Sequence, residues 1–227
     1  MPERLERHPG LDFYAYQSGH ALADQPEAYG LAMSFAFQPN GRPVVNAEPC
    51  YEGHGHHGAY GRFDAFAVRR AFWSSVLSGA SAGFAYGAHG LWSWHRRGQL
   101  FTKAHASQVP FDWRTALRFP GALDAALGRW LMERYGMLGC RPAQELLIDA
   151  PSGIRAAVSR DGNTLMAYVP FSHAVHFRLA PDEFSFELFD LEARCPMWPE
   201  VRETDEGVGI EMADVNSDVL VIGRRKQ

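Results

Sequence analysis

The segment Arg42-Pro-Val-Val-Asn-Ala-Glu-Pro-Cys-Tyr-Glu-Gly53 organises the fold prediction. Its short apolar run, 43–46, stands between turn residues and Pro49, which predicts a buried strand. Glu48 and Glu52 follow that strand, a helical pattern comes next, and a second glycine-rich apolar run covers 83–86. The order of strand, carboxylate loop, helix and strand predicts a βαβ unit with chemical groups at the carboxyl ends of its strands.

Aromatic, imidazole and polar side chains gather at the same predicted strand ends. A third predicted strand, 11–16, ends in the polar loop 17–20. Aromatic faces stack on the C–H faces of sugar rings, and imidazoles donate hydrogen bonds to hydroxyls, so the sequence predicts a carbohydrate substrate. The candidate substrate-binding residues are Gln17, His20, Tyr51, Glu52, Tyr86, His89, Trp92 and Trp94. Each histidine taken alone is equally compatible with satisfying local backbone groups.

Three segments, 17–20, 46–52 and 77–94, resemble the apiosidase-like glycoside hydrolases. The resemblance covers nearly the whole chain. It implies a (β/α)₈ barrel followed by a small β-domain that is often labelled collagen-binding, although no triple-helix motif is visible here. It also implies that 11–16, 43–46 and 83–86 are barrel strands six, seven and eight.

The length conflicts with a closed barrel. A complete (β/α)₈ barrel takes about 250 residues, whereas the whole chain has 227. The predicted fold class is therefore α/β plus all-β: residues 1–139 form the C-terminal portion of a TIM barrel, and residues 142–227 form a small β-sandwich. The predicted strand edge at 11–16 is then unpaired and invites association. The expected partners are a separately encoded N-terminal barrel half or a second copy of the chain.

Helix signals separate the predicted barrel strands. Asp24 is predicted to cap a helix with Pro26 in its first turn, and Asp64 is predicted to cap the next. In that second helix the pattern directs Arg69 and Arg70 outward. A closing helix is predicted from Leu123 to Tyr135.

Beyond residue 142 the hydrophobic period changes to two, and Asp161-Gly162-Asn163 is a hairpin turn signal. Short strands at regular spacing predict the β-sandwich. The predicted strands are 145–149, 154–159, 164–169, 175–179, 184–189, 208–212 and 219–222.

Glu48 is the candidate nucleophile. A glycosidase nucleophile must be ionised and rigidly held, and a strand end stiffened by Pro49 meets that need. The resemblance implies the same role. Two alternatives stay open: capping of a neighbouring backbone group, or pairing with Arg42 or Arg62. Glu52 could bind substrate hydroxyls, orient a neighbour or simply be solvated.

The acid/base residue is missing from the predicted site. In barrels of this kind the resemblance places it on the fourth strand, which the sequence does not contain. Asp24 and Asp64 already serve as predicted helix caps, and Asp12 lies within a strand. Because general acid catalysis contributes about 10²–10⁴-fold, we expect the chain alone to be inactive.

Other functional classes find little support. A net charge of −4 without basic clusters argues against nucleic acid. The three cysteines form no close-spaced pair, so neither a disulfide framework nor a zinc signature is predicted. The loop His54–His57 suits a solvated segment better than a metal site, and no cofactor is expected. No signal peptide or membrane span is visible; cytoplasmic location is the default, and secretion applies if the gene starts upstream.

The first functional hypothesis is therefore a fragment of a retaining glycoside hydrolase acting on a polysaccharide. The alternative is a non-catalytic carbohydrate- or protein-binding module in which the β-sandwich makes the contacts. A reading frame without function in isolation is a third interpretation.

Overall fold

The computed structural model describes residues 8–38, 40–171, 174–212 and 217–226. Within these ranges the chain is mixed α/β, with three sheets and five α-helices. No helix in the described part combines the length and the apolar character that crossing a bilayer requires.

The predicted βαβ unit is present as a three-stranded parallel sheet. Strands β1 (Tyr14–Gln17), β2 (Val44–Glu48) and β3 (Gly83–Phe84) lie side by side in that order. Helix α1 (Glu27–Ala36) connects the first pair and α2 (Ala65–Val76) the second. Because the strands are parallel, their carboxyl ends share one edge of the sheet.

The side chains of β1 alternate between two faces. Tyr14 and Tyr16 are buried against α1, where the Tyr16 hydroxyl donates to the Ala28 carbonyl at 2.8 Å and Tyr14 stacks on Phe35 at 5.2 Å. Gln17, on the other face, is exposed. The candidate site lies at the carboxyl edge of the sheet, which the Gln17 side chain reaches.

Three further helices follow β3: α3 (Ala104–Ser107), α4 (Trp113–Ala116) and α5 (Gly121–Arg134). Helix α5 packs against α2, and a substituent on Gly128 would overlap the Phe72 ring. The absence of a side chain at Gly128 therefore allows the two helices to approach closely.

Two antiparallel sheets form the C-terminal part of the chain. The larger has the order β10-β9-β13-β7-β6-β4 and the smaller β11-β12-β8-β5. The strands are β4 (Arg141–Pro142), β5 (Leu147–Ile148), β6 (Arg155–Val158), β7 (Thr164–Val169), β8 (Val175–Phe177), β9 (Phe184–Asp190), β10 (Cys195–Met197), β11 (Glu200–Thr204), β12 (Gly207–Glu211) and β13 (Val219–Arg225).

Both faces of the six-stranded sheet carry a cluster of buried apolar side chains. Toward the smaller sheet, Ala167, Leu188 and Val221 share a hydrophobic cluster with side chains that include Phe177 and Ile210. The opposite face packs on the helices, in a second cluster that consists of Phe72, Trp73, Val76, Leu77, Leu131, Met132, Tyr135, Met137, Cys140, Ala157, Met166, Tyr168, Phe189, Leu191, Leu220 and Ile222. The sheet thus joins the helical layer to the smaller sheet.

Two helix predictions have opposite outcomes. Asp64 is the N-cap of α2 and accepts from Ala67 N at 2.9 Å, as predicted. The predicted cap at Asp24 is wrong, because Asp24 ends the 3₁₀ helix Leu22–Asp24 and Pro26 holds the N-cap position of α1.

The outward orientation predicted for Arg69 is wrong as well. Its side chain is buried and lies between Asp124 and Asp218, at 3.1 and 2.7 Å. A buried guanidinium needs such partners, and neither is near it in sequence.

The strand pattern identifies seven of the ten C-terminal strands. The turn at 161–163 joins β6 to β7, with Gly162 at φ +74° as a hairpin of this kind requires. Strands β4, β10 and β11 carry mostly exposed or half-buried side chains, so hydrophobic alternation does not mark them.

Candidate active site

Glu48 is the last residue of β2, and its carboxylate is held from the neighbouring strand. Gln17 Nε2 donates to Glu48 Oε2 at 2.6 Å. A bulge between Tyr16 and Gln17 shifts the register so that these two residues are partners. The Glu48 side chain is half-buried. Neither alternative pairing, with Arg42 or Arg62, occurs among the described ion pairs.

Tyr51 lies next to this carboxylate. Burial raises the pKa of the Tyr51 phenol, and the negative charge of Glu48 raises it further. The ring also meets His20 edge-on at 4.5 Å. A Cβ on Gly87 would overlap the Tyr51 ring, so a glycine just beyond β3 lets the phenol pack at that strand end.

Three histidines form a continuous row of rings, here termed the imidazole row: His20, His54 and His89. The ring centroids of His20 and His54 are 4.3 Å apart, and those of His54 and His89 are 4.5 Å apart. One residue of the row follows each strand of the parallel sheet. The carboxyl edge therefore brings together side chains that are distant in sequence.

Hydrogen bonds to backbone carbonyls assign the protons of two of these rings. His54 Nδ1 lies 2.7 Å from the Gly55 carbonyl and His89 Nδ1 lies 3.4 Å from the Gly53 carbonyl. A nitrogen facing a carbonyl carries the hydrogen, so Nε2 of the neutral ring is an acceptor. For His89 the unpaired ring nitrogen is thus an acceptor rather than a donor.

Two of the Nε2 atoms, those of His20 and His89, are buried and have no hydrogen-bond partner within the described residues. The His89 side chain is 0% exposed. An unpaired buried polar atom costs free energy, which a bound ligand with a matching group removes. The buried row is therefore a candidate floor of the site, with its unpaired nitrogens below the exposed Trp92 and the half-buried Tyr51.

The imidazole row is neutral near pH 7. Burial and, to a smaller extent, the neighbouring imidazoles together lower the pKa of His20, His54 and His89 to about 4 each. Each charged ring would be desolvated and would face another ring of the same charge.

We expect the protein to lose stability as the pH falls from about 6.5, the ordinary histidine value, toward about 4. Over this range the unfolded chain binds protons that the folded row excludes, so the free energy of unfolding decreases with falling pH. Urea unfolding at several pH values measures the effect. His20→Gln with His89→Gln should flatten the dependence, and an unchanged slope would contradict the assignment.

Glu52 has a different environment. Its side chain is buried, the Tyr86 hydroxyl donates to Oε2 at 2.7 Å, and Gly121 N donates to the same atom at 2.9 Å. Burial raises the pKa of this carboxyl. The backbone of Glu52 also bonds Gly87 and His89. Of the alternatives stated above, this geometry fits the orientation of neighbours, because Glu52 joins the loops after β2 and β3 to the start of α5.

Replacing Tyr86 by Phe should lower the free energy of unfolding by about 1.5–3 kcal/mol, the range for a hydrogen bond to a charged group. The change deletes one donor to a buried carboxylate and leaves the ring in place. Urea unfolding measures it, with Tyr60→Phe, at a fully exposed ring, as the matched control. A difference no larger than that of the control would contradict the role of this bond.

The two tryptophans lie differently. Trp92 continues the imidazole row, with its indole parallel to the His89 ring at 6.1 Å and 5°. Trp94, at φ +47°, is 66% exposed and meets Trp113 edge-on at 5.4 Å. Trp92 therefore extends the ring surface beside His89, whereas Trp94 belongs to a second aromatic pair.

The sequence predicts a solvated loop at His54–His57, and this prediction is wrong for His54. His54 is buried, because Gly53 N and Gly55 N bond the carbonyls of Phe63 and Ser107 at 2.7 and 2.9 Å and hold the loop down. In the described part of the chain, no group of three or more His, Cys, Asp or Glu residues could hold a metal ion. Cys50 is buried and its pKa is raised to about 12, mainly by burial.

Asn46 is a supporting residue that the sequence did not single out for the site. It is fully buried in β2, and Nδ2 donates to Ser18 Oγ at 2.9 Å and to Ser75 Oγ at 3.0 Å. These bonds connect β2 to the loop after β1 and to α2. The sequence feature that could have identified it is an amide side chain two residues before the candidate nucleophile.

The sequence model of the family described as "Apiosidase-like, catalytic domain" matches residues 1–138. The chain belongs to this family. No curated protein matches it in sequence.

The family assignment agrees with two solved structures. One, described as a glycoside hydrolase, aligns with 96% of this chain at a TM-score of 0.81 and 18% identity. The other, a glycoside hydrolase family 5 protein from Bacteroides vulgatus ATCC 8482, aligns with 94% at a TM-score of 0.77 and 19% identity. The match covers 54% and 51% of those chains, so this apiosidase-like chain spans about half their length.

Proposed function

We propose that this apiosidase-like chain is the C-terminal half of a retaining glycoside hydrolase that acts on O-glycosidic bonds of a polysaccharide. Residues 1–139 supply barrel strands six to eight, and residues 142–227 form a β-sandwich. The observation that carries the proposal is the Glu48 carboxylate at the end of β2. It accepts a hydrogen bond from Gln17 and lies beside a group of aromatic and imidazole side chains.

Glu48 is the nucleophile in this mechanism. An oxygen of its carboxylate bonds to the anomeric carbon while the glycosidic C–O bond breaks and the leaving oxygen takes the electron pair. Water then hydrolyses the glycosyl ester. Gln17 keeps the carboxylate beneath the sugar, and a rigid strand end preserves the attack geometry.

The rings beside Glu48 bind the sugar. Tyr51 and His20 bond its hydroxyls, and Trp92 offers an exposed face. His89 is 0% exposed and lies parallel to the Trp92 indole, so it supports the ring surface rather than contacting the sugar. Tyr86 and Glu52 hold the loops in place, and Trp94 extends the aromatic surface outward.

The leaving oxygen still needs a proton donor about 5–5.5 Å from the nucleophile. Glu52 is buried and already bonded, and Asp64 caps α2. We therefore place the acid/base residue outside the described ranges, on a barrel strand supplied by the other half.

A groove beside β3 suits that other half. It has a volume of about 440 Å³ and is lined by side chains of α2 and α5 such as Phe72, Val76 and Met132, with Phe84 at the strand. Among the described residues β3 pairs only with β2. The matched structures are about twice as long. We therefore assign the groove to a strand and a helix from the other half of the barrel, which would contain strands one to five.

The experiment is an assay of the purified chain on phenyl glycosides of common sugars, whose leaving group needs a proton, beside Glu48→Gln. We expect no turnover above the variant. Turnover abolished by Glu48→Gln would show that residues 1–227 suffice and contradict the missing acid. Turnover that survives this substitution would overturn the nucleophile assignment.

A further inference from the structure

A second concave site lies far along the chain from the imidazole row, where the end of α5 meets the six-stranded sheet. It is a depression of about 190 Å³, and its polar and aromatic lining includes Arg134, Tyr135, Glu187, Trp198 and Arg224. Pockets for drug-sized ligands are larger, about 300–1,000 Å³. A hollow of this size suits one ring of a longer chain.

Trp198 gives the site an apolar face. It directly follows β10 and its side chain is 87% exposed. Tryptophan is highly buried on average, and its indole offers a large flat contact area. An indole left in water at the rim of a hollow is a feature of surfaces that stack on sugar rings.

Two guanidinium groups give the site a positive charge. The Cζ atoms of Arg224 and Arg134 lie 4.8 and 5.8 Å from the ring centroid of Tyr135. Within the described chain neither makes an ion pair with a carboxylate, whereas the adjacent Arg225 pairs with Glu183 at 2.7 Å. Both side chains are exposed, and Arg134 also bonds the Tyr135 side chain.

The sheet and the helix together fix this arrangement. Arg224 is the cross-strand partner of Ser185, and Ile222 is the partner of Glu187, so these four side chains belong to neighbouring pairs of β9 and β13. Tyr135 is buried against them and bonds Glu187. The two arginines therefore flank a rigid phenol rather than a mobile loop.

We infer that this depression binds an acidic saccharide, a hexuronate unit of a polysaccharide, independently of the candidate active site. The C–H face of the sugar stacks on Trp198, and its carboxylate meets the guanidinium groups of Arg134 and Arg224, which bind carboxylates in a bidentate geometry. Glu187 offers an acceptor for a ring hydroxyl. The site would hold an acidic glycan while another part of it is cleaved.

Calorimetric titration of the full chain with tetragalacturonate tests the inference, with cellotetraose as the neutral probe and citrate as the sugar-free anion. We expect binding of tetragalacturonate that weakens at high ionic strength. Trp198→Ala, and Arg134→Gln with Arg224→Gln, should each reduce the affinity about tenfold or more, which corresponds to about 1.4 kcal/mol.

Two variants serve as controls. Arg129→Gln removes an exposed arginine of the same helix that already pairs with Glu133 at 2.9 Å, and it should leave the affinity unchanged. Glu48→Gln should also bind normally, which separates this site from the proposed catalysis.

Several outcomes would overturn the inference. They are equal binding of cellotetraose, equal binding of citrate alone, no binding of tetragalacturonate, or an affinity that the Trp198 and arginine variants do not alter. Far-ultraviolet circular dichroism confirms that each variant is folded, and Trp198→Gln replaces the alanine variant if that one aggregates.

Discussion

Replacing Asp218 by Ala should lower the free energy of unfolding by about 3–5 kcal/mol, the range for breaking a buried ion pair. Asp218 is fully buried just before β13, and both of its carboxylate oxygens accept from Arg69 Nε at 3.1 Å. Arg69 Nη2 donates to it at 2.7 Å, and the Tyr168 hydroxyl donates at 3.1 Å. The substitution would leave a guanidinium buried beside a smaller, uncharged side chain.

The loss is large because this ion network holds the helical layer to the six-stranded sheet. Arg69 belongs to α2 and Asp124 to α5, and Asp124 also pairs with Arg194 at 2.7 Å. Burial disfavours the charge on Arg69, but the hydrogen bonds and charges of Asp218 and Asp124 outweigh it and raise the pKa of the guanidinium. Asp218 contributes the larger part of that compensation, so its loss leaves the buried charge poorly balanced.

Urea unfolding followed by circular dichroism measures the change. Glu133→Gln, which breaks the exposed pair with Arg129, is the control, since surface pairs contribute little. The double variant Arg69→Met with Asp218→Leu should be more stable than Asp218→Ala alone, because it leaves no unpaired charge. A single variant as stable as the control would contradict the structural role of the network.

The second large effect concerns the leaving group. If the chain carries the nucleophile without the acid, its glycosylation should depend steeply on leaving-group basicity. A 2,4-dinitrophenyl glycoside departs without protonation and should react, whereas a phenyl glycoside of the same sugar should react about 10²–10⁴-fold more slowly, the usual contribution of a general acid.

The assay follows release of the phenol at neutral pH over a panel of pentosides and hexosides. Glu48→Gln is the matched control, because it removes the charge and keeps the shape. Comparable rates for the two leaving groups would contradict the missing-acid proposal and point to a proton donor within residues 1–227.

The parallel sheet could be predicted because its signals are local. Val44 and Val45 form an apolar run between turn residues, and Asp64 precedes an amphipathic pattern that it caps. The turn at Asp161–Asn163 is local in the same way. Each of these features is decided by residues within a few positions of one another.

The errors arise where a residue's environment comes from distant parts of the chain. Arg69 resembles an exposed helix residue until Asp218, 149 residues away, folds against it. His54 resembles a loop residue between glycines, yet the Ser107 carbonyl holds its loop in place. Strand β11 is exposed at all of its residues, so no hydrophobic alternation signals it.

The candidate site also combines features set by local sequence, which could be predicted, with features set by distant residues, which could not. That Glu48 ends a strand follows from its own segment, but its bond to Gln17 depends on a register shift between β1 and β2. The role of Glu52 could not be assigned from sequence. Its hydrogen-bond donors, the Tyr86 hydroxyl and the Gly121 amide, come close to it only when the segments at β3 and α5 fold against its loop. Nothing local distinguishes a solvated glutamate from a buried one at this position.

The most direct measurement is the location of a trapped sugar. The purified chain is incubated with 2,4-dinitrophenyl 2-deoxy-2-fluoro glycosides, digested, and mapped by mass spectrometry. The proposal predicts one added fluoroglycosyl group, bound as an ester to Glu48 and absent from Glu48→Gln. A sugar on any other residue, or no modification with any glycoside of the panel, would contradict Glu48 as the nucleophile.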